Sequence, residues 1–300
     1  MSKNNKLSTQ NPNNYRKFAY ETIEIKMKQI SILGCGWLGL PLAKAVLKEG
    51  FSVKGSTTSI EKLKILENIG IQSFQFALET NAAPDVLADF LDGSQTLIIA
   101  IPPKLRGKNK DYSDAENNSF VKKIENILPF IEKSKLENVL FISSTAVYGE
   151  ANTVVDENTI TVPVTESGKQ LLEIEQLLLA NTEFKTTILR FGGLIGEDRN
   201  PARFLAGKEN VPNPEAPINL IHLEDCIGII QKIISTDSWN LTLNAVTPFH
   251  PTRKKYYTQK AISENLVPPT FNHEISSIGK TILSDKLIEI LDYKFTQLDL

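Results

Sequence analysis

Residues Gln29-Ile30-Ser31-Ile32-Leu33-Gly34-Cys35-Gly36-Trp37-Leu38-Gly39 (QISILGCGWLG) form a short apolar run followed at once by glycines at G-x-G-x-x-G spacing. That spacing alone is a weak signal. It gains weight when it follows a strand and opens a helix. Both conditions hold here, because an amphipathic run continues to Glu49 and Gly50 supplies a helix stop. Pro41 falls in the first turns, where the amides have no helical acceptor. Each glycine then has a chemical reason. Gly34 makes the tight turn, Gly36 lets the backbone approach a diphosphate, and Gly39 lets the helix pack closely on the strand. The amides at the helix start face the anion. Gly34, Cys35, Gly36, Trp37, Leu38 and Gly39 are therefore the first expected cofactor-binding residues.

Strands and helices alternate downstream. The patterns predict strands over residues 51–55, 71–76, 96–101, 139–143 and 186–191, and helices over 120–133 and 166–179. Thr58 and Glu61 have capping-box spacing for one further helix. Such alternation implies an α/β fold, a doubly wound parallel (Rossmann) sheet with helices on both faces. Residues 27–190 read as the dinucleotide-binding domain. After about residue 191 prolines gather (Pro201, Pro212, Pro214, Pro217), which predicts a smaller substrate lobe over 191–300 with segments near 219–245 returning to the first domain. Residues 1–26 are polar and aperiodic and are expected to be a disordered tail. The only methionines are Met1 and Met27, so translation starting at either one fits this pattern. Residues 104–118 read as a polar loop.

Composition excludes several function classes. The 300 residues are 41% hydrophobic and 23% charged with a net charge of -2, an ordinary globular balance without the basic stripe of a nucleic-acid binder. Two cysteines, Cys35 and Cys226, and no Cys/His cluster argue against a disulfide framework or a metal site. No apolar run approaches the ~20 residues of a membrane span, and the amino terminus lacks a signal-peptide core. A cytoplasmic protein acting on a small molecule is expected, without nucleic-acid or membrane partners.

The cofactor form is read from the second strand. An NAD site carries an acid ~20 residues past the glycines, on the ribose 2′-OH. Here that region is Val53-Lys54-Gly55-Ser56-Thr57-Thr58, and no acid occurs between Glu49 and Glu61. Ser56, Thr57 and Thr58 leave room and hydroxyls for a 2′-phosphate, so NADP(H) is favoured over NAD(H). Ala100, Ile101 and Pro102, at the end of the fourth strand, are expected to line the same cofactor.

A second motif, Phe141-Ile142-Ser143-Ser144-Thr145-Ala146-Val147-Tyr148-Gly149, ends the fifth strand. With the glycine loop it resembles the extended and atypical short-chain dehydrogenase/reductase family, which includes NAD-dependent epimerases and dehydratases, and within it the bacterial YeeZ-like group. Later segments agree in order: 189–196 (LRFGGLIG), 219–225 (NLIHLED), 243–245, Gly279-Lys280 and Leu291-Asp292-Tyr293. The resemblance implies that Ser144 hydrogen-bonds the substrate oxygen. It also implies that Lys169 holds the nicotinamide ribose, and that Thr145, Tyr148, Arg190 and His222 border the substrate. The family's Y-x-x-x-K falls on Thr165-Glu166-Ser167-Gly168-Lys169, so Thr165 stands where the catalytic tyrosine belongs. A phenol near pKa 10 can be tuned into general acid–base work; a threonine hydroxyl cannot. Tyr148, Glu166 and His222 are the candidate substitutes. The arginine with which nucleotide-sugar enzymes grip the substrate diphosphate is Ile218 here, which disfavours that substrate class. Family members are often dimers, so a homodimer is expected. Two functions stay open: an oxidoreductase or epimerase-like enzyme on a small carbonyl or alcohol, and a non-catalytic NADP(H)-binding sensor.

Overall fold

The structure of the protein is a computed structural model that describes residues 28–103, 119–150 and 153–298. The expected tail over 1–26 and the polar loop over 104–118 lie outside the described residues.

The first half is β1 (Gln29–Leu33), α1 (Gly39–Lys48), β2 (Ser52–Thr57), α2 (Glu61–Asn68), β3 (Gln72–Gln75), α3 (Leu87–Leu91), β4 (Thr96–Ile99), α4 (Phe120–Lys133) and β5 (Asn138–Ser144). It continues with β6 (Thr153–Val155), α5 (Glu166–Leu179), β7 (Lys185–Phe191), β8 (Gly193–Ile195), α6 (Ala202–Leu205), β9 (Leu220–His222), α7 (Leu223–Ser235), β10 (Thr242–Ala245), α8 (Arg253–Ser263), β11 (Lys280–Ile282) and α9 (Asp285–Leu291). Seven strands form one parallel sheet in the order β10-β7-β5-β4-β1-β2-β3. The central strands are apolar on both faces because helices cover both; Ile98, Ile99, Val139 and Leu140 are wholly buried. Leu42, Val46, Ile229, Ile233 and Leu287 of α1, α7 and α9 pack on one face, and Phe90, Ile124, Ile127, Ile174 and Leu178 of α3, α4 and α5 on the other.

From β1 the chain runs outward to β3 and returns to β4 on the other side of β1. Strand order thus reverses between β1 and β4, and ligands of such sheets bind beyond the carboxyl ends of the strands at that point. Two small parallel pairs, β8-β9 and β11-β6, stand apart from the large sheet.

The expected capping box does not form. Helix α2 starts at Glu61 with Ile60 in the N-cap position, and Ser59 rather than Thr58 bonds the Glu61 carboxylate, at 2.5 Å. Thr58 lies two residues before the capping position, too early to reach a first-turn amide.

The carboxy-terminal segment is fastened by Asp225, at the start of α7 and fully buried. Its carboxylate accepts from the Tyr293 hydroxyl at 3.0 Å, the Thr296 amide at 2.8 Å, the Thr296 hydroxyl at 3.0 Å and the Gln297 amide at 3.2 Å. Asp225→Asn keeps the shape but turns one acceptor into a donor facing donors. The expected cost is about 1–2 kcal/mol, from one buried donor left unmatched, read as a lower urea midpoint with faster proteolysis beyond Tyr293.

Candidate functional site

The glycine loop sits at the reversal point between β1 and β4. Gly34 has φ +101°, and a Cβ there would collide with the Ile101 side chain. The Ala100 amide bonds the Leu33 carbonyl at 2.9 Å, so the ends of β1 and β4 are tied where the loop begins. Two further bonds hold the loop to β2: the Gly34 amide donates to Ser56 Oγ at 2.9 Å and the Cys35 amide to the Ser56 carbonyl at 2.7 Å. A Cβ on Gly39 would collide with the Gly34 carbonyl, so α1 can start this close to β1 only from glycine. Gly36 is different: a Cβ there would meet no heavy atom within 4 Å. Its open flank, beside the start of α1, is the shape a diphosphate requires, and the loop fits a nicotinamide dinucleotide on that ground. Cys35 is packing, with its Sγ 2.6 Å from where a Gly55 Cβ would stand. Burial pushes its thiol up to about 12 despite the Lys62 charge nearby, so it has no nucleophilic role.

At the end of β2 the hydroxyls are partly committed. Ser56 is buried and accepts from Gly34, Thr57 Oγ1 accepts from the Ser59 amide at 3.1 Å, and Thr58 is exposed. Lys54 turns away and donates to the Asp89 and Asp92 carbonyls at 2.6 and 2.7 Å, closing the end of α3. Ala100 and Ile101 lie against Gly34; Pro102 follows and is exposed.

Ser144, at the end of β5, is partly exposed, and its Oγ accepts from the Ala146 amide at 3.2 Å. Its hydroxyl proton remains able to donate outward. A 3₁₀ turn, Thr145–Val147, follows, with Thr145 buried. Helix α5 starts against this turn: a Cβ on Gly168 would collide with the Ala146 carbonyl. The contact sets Lys169, exposed and one residue further on, next to the segment that begins at Ser144. Thr165 is the N-cap of α5, its Oγ1 accepting from the Gly168 amide at 3.1 Å.

Tyr148 and Arg190, expected against substrate, lie inside the molecule. In the paired strands Ser143, Arg190 and Asn244 stand side by side on β5, β7 and β10. Strand side chains alternate between faces, so this row points one way and Ser144 the other. Glu175 of α5 closes the row. Arg190 binds it in a fork, Nε to both carboxylate oxygens at 3.1 Å and Nη2 at 2.6 Å, and Ser143 Oγ donates to it at 2.5 Å. Arg190 Nη1 donates to the Tyr148 hydroxyl at 2.7 Å, which donates to Asn244 Oδ1 at 2.9 Å. Tyr148 is 2% exposed and Arg190 6%, so neither offers a side chain to a ligand. Burial raises the Tyr148 phenol above its ordinary value against the lowering effect of Arg190, which also removes Tyr148 as a proton-transfer substitute. The backbone of the Tyr148–Glu150 turn is clasped by Lys280 Nζ, bonded to the carbonyls of Tyr148 at 3.3 Å and Gly149 at 3.1 Å and to Glu150 Oε1 at 2.8 Å.

His222 caps α7, its Nδ1 accepting from the Glu224 amide at 3.3 Å, so the neutral ring carries its proton on Nε2. It lines a cavity of about 240 Å³ with Gly196, Asn200, Tyr256, Lys260 and Glu264, and neither Ser144 nor Lys169 borders that cavity. Sequence reasoning missed two features in this region. The Tyr256 hydroxyl is buried without a partner among the described residues. Across the turn, Trp37 of the glycine loop donates from Nε1 to Asp198 Oδ1 at 2.7 Å and lies under the Arg199 guanidinium. No local pattern announces a contact spanning 161 positions.

Ile218 packs with Ile195, Leu220 and Tyr256 in a small apolar cluster. Among the described residues no helix is long and apolar enough to cross a membrane.

No family model matches the chain. It is 33% identical over 273 residues to the protein YeeZ of Escherichia coli K12, covering 90% of this chain and 96% of the relative. A solved structure from Methylobacillus flagellatus, assigned to the NAD-dependent epimerases/dehydratases, superposes with a TM-score of 0.71 at 25% identity, over 91% of this chain and 94% of its own. A short-chain dehydrogenase/reductase superfamily protein of Agrobacterium tumefaciens, solved with bound NAD, gives a TM-score of 0.73 at 16% identity, over 89% and 92% of the two chains. The last likeness is one of fold.

Proposed function

The chain belongs to the YeeZ-like group of the extended short-chain dehydrogenase/reductase family, and from that premise we propose that it is an NADP(H)-dependent oxidoreductase or epimerase-like enzyme acting on a small carbonyl or alcohol. The observation that carries this proposal is the seating of Gly168 on the Ala146 carbonyl. It joins the segment bearing Ser144 to the helix start bearing Lys169, beyond the sheet edge that also carries the glycine loop. A bound nicotinamide supplies hydride transfer at such an edge. Ser144 orients the substrate oxygen through its free proton, and the exposed Lys169 ammonium holds the ribose and provides positive charge. Preference for NADP(H) is supported by the missing acid on β2, by the exposed Thr58 hydroxyl and by Lys62, whose charge reaches this corner. Ile218 in its apolar cluster supports a substrate other than a nucleotide sugar.

A second function, a cofactor-binding sensor without turnover, is favoured by Thr165. Its oxygen is engaged in capping α5, leaving no phenol at the usual acid–base position.

Calorimetry with NADPH and NADH side by side tests the cofactor claim. NADPH is expected to bind at least about tenfold tighter, a difference of about 1.4 kcal/mol; equal affinities remove the preference. Ser144→Ala and Lys169→Met then separate the two functions. Both are expected to depress turnover of small carbonyl substrates, and unchanged turnover in both removes their assigned roles. Thr165→Tyr is expected to cost about 1 kcal/mol through loss of the cap and to raise reductase activity. Tight binding with no turnover in any variant favours the sensor.

A further inference from the structure

We infer that the cavity of about 240 Å³ between the 195–201 turn, the start of α7 and helix α8 is a second ligand site, and that it takes a small amino acid as its zwitterion. The inference stands apart from the dinucleotide function, because neither Ser144, Lys169 nor a glycine of the 34–39 loop borders this cavity. It begins from the spacing along α8. Tyr256, Lys260 and Glu264 follow one another at four-residue intervals, so they share one face of the helix, and all three line the cavity. His222, the N-cap of α7, lines it as well.

The polar groups of this wall are anchored at one end and uncommitted at the other. His222 Nδ1 accepts from the Glu224 amide at 3.3 Å, which leaves the Nε2 proton to donate. Asn200 fixes Glu264: its Nδ2 donates to Glu264 Oε1, while its Oδ1 accepts from the Ala202 amide at 2.8 Å. Glu264 Oε2 keeps its lone pairs. Lys260 forms no ion pair with the described residues. Tyr256 is 4% exposed, and its hydroxyl has no hydrogen-bond partner among the described residues. An unbonded buried hydroxyl is a standing cost to the fold, and a ligand that accepts from it removes that cost. Burial first, then Tyr257 and Glu264, raise the Tyr256 phenol above its ordinary value, so it keeps its proton and remains a donor.

The charges then select the ligand. Three donors, one of them a full cation, suit a carboxylate. Two acids, Glu264 and the exposed Glu197, also line the cavity and outnumber Lys260. A simple anion would face that surplus of negative charge, and a simple amine would leave the three donors unmatched. A molecule carrying a carboxylate and an ammonium on one carbon satisfies both sets. Ile195 and Pro201 supply apolar wall for the rest of it. The volume falls below the roughly 300 Å³ at which pockets for drug-sized ligands begin, which selects a small amino acid.

The test uses the full chain and calorimetry with the standard amino acids one by one, then with the des-amino acid and the decarboxylated amine of the tightest binder. Removal of either charge from the ligand is expected to weaken binding at least about tenfold, as for loss of a hydrogen bond to a charged group. Lys260→Met and Glu264→Gln are each expected to weaken the amino acid by a similar factor. Tyr256→Phe is expected to weaken it about fivefold while leaving the melting temperature of the free chain unchanged or higher, since its hydroxyl has no bond to lose. A wild type that binds no amino acid overturns the inference and leaves the dinucleotide function standing. A des-amino acid or an amine that binds as tightly as the amino acid overturns the zwitterion. Wild-type affinity in both Lys260→Met and Glu264→Gln removes the ligand from this cavity. A lower melting temperature of free Tyr256→Phe makes the hydroxyl a structural group and overturns its part in the site.

Discussion

Gly36→Val is expected to abolish nucleotide binding while leaving the fold intact or slightly more stable. Both halves of that expectation come from the same observation. No heavy atom lies within 4 Å of where the new Cβ would stand, and Gly36 is not among the glycines with positive φ. A side chain is therefore tolerated by the protein itself, and the lost freedom of the unfolded chain favours the variant by about 0.4–1 kcal/mol. The same open flank is where a diphosphate must lie against backbone amides, and two methyl groups occupy it. Affinity for NADPH and NADH is expected to fall at least about a hundredfold, or about 2.8 kcal/mol. Calorimetry and a thermal melt check both halves. Gly39→Ala serves as the contrast, because its Cβ would collide with the Gly34 carbonyl: it should lower the melting temperature first and lose binding as a consequence. Wild-type affinity in Gly36→Val would remove the diphosphate from this loop altogether.

The difference between these two glycines also marks what the amino-acid sequence can disclose. The β1-loop-α1 unit is legible because its glycine spacing is local, and Gly39 answers to the Gly34 carbonyl five residues back. Helices α4 and α5 begin and end where their periodicity predicts, at Phe120–Lys133 and Glu166–Leu179. The strands of the large sheet lie within two residues of their apolar runs. Helix α3 and the pairs β8-β9 and β11-β6 were not legible. Five residues, or three, are too few for a period to declare itself. The motifs put Ser144 at the end of β5 and Lys169 in the first turn of α5, where both stand. Arg190 and Tyr148 carry the same motif signal and end up buried, because their fate is set by register: only once β5, β7 and β10 are aligned does Arg190 stand beside Ser143 and Asn244. Contacts such as Trp37 with Asp198 and Arg199 join residues about 160 positions apart, which no local pattern encodes.

The buried row beneath the site sets the largest stability effect. Glu175 is 1% exposed and Arg190 6%, so removing either partner strands a charge away from water. Glu175→Ala is expected to cost about 3–5 kcal/mol, as for other broken buried ion pairs, with Arg190→Met close behind. The double variant Glu175→Leu/Arg190→Met replaces both charges with apolar volume, and its loss should be smaller than the sum of the singles by about 2 kcal/mol. It should not reach wild-type stability, because the Ser143 hydroxyl then loses its acceptor and the Tyr148 hydroxyl its donor. Additive losses in urea unfolding would mean that the fork contributes nothing as a pair. Tyr148 adds a pH dependence of definite sign. Its phenol ionises only above its ordinary value of 10.0 in the folded chain, burial being the main cause, whereas the unfolded phenol ionises at that value. The folded state therefore keeps its proton longer. Stability from this group is complete below pH 10 and declines as pH rises beyond it. Tyr148→Phe should flatten that alkaline decline while costing about 1 kcal/mol or more at neutral pH, since Arg190 Nη1 and Asn244 Oδ1 each lose a partner.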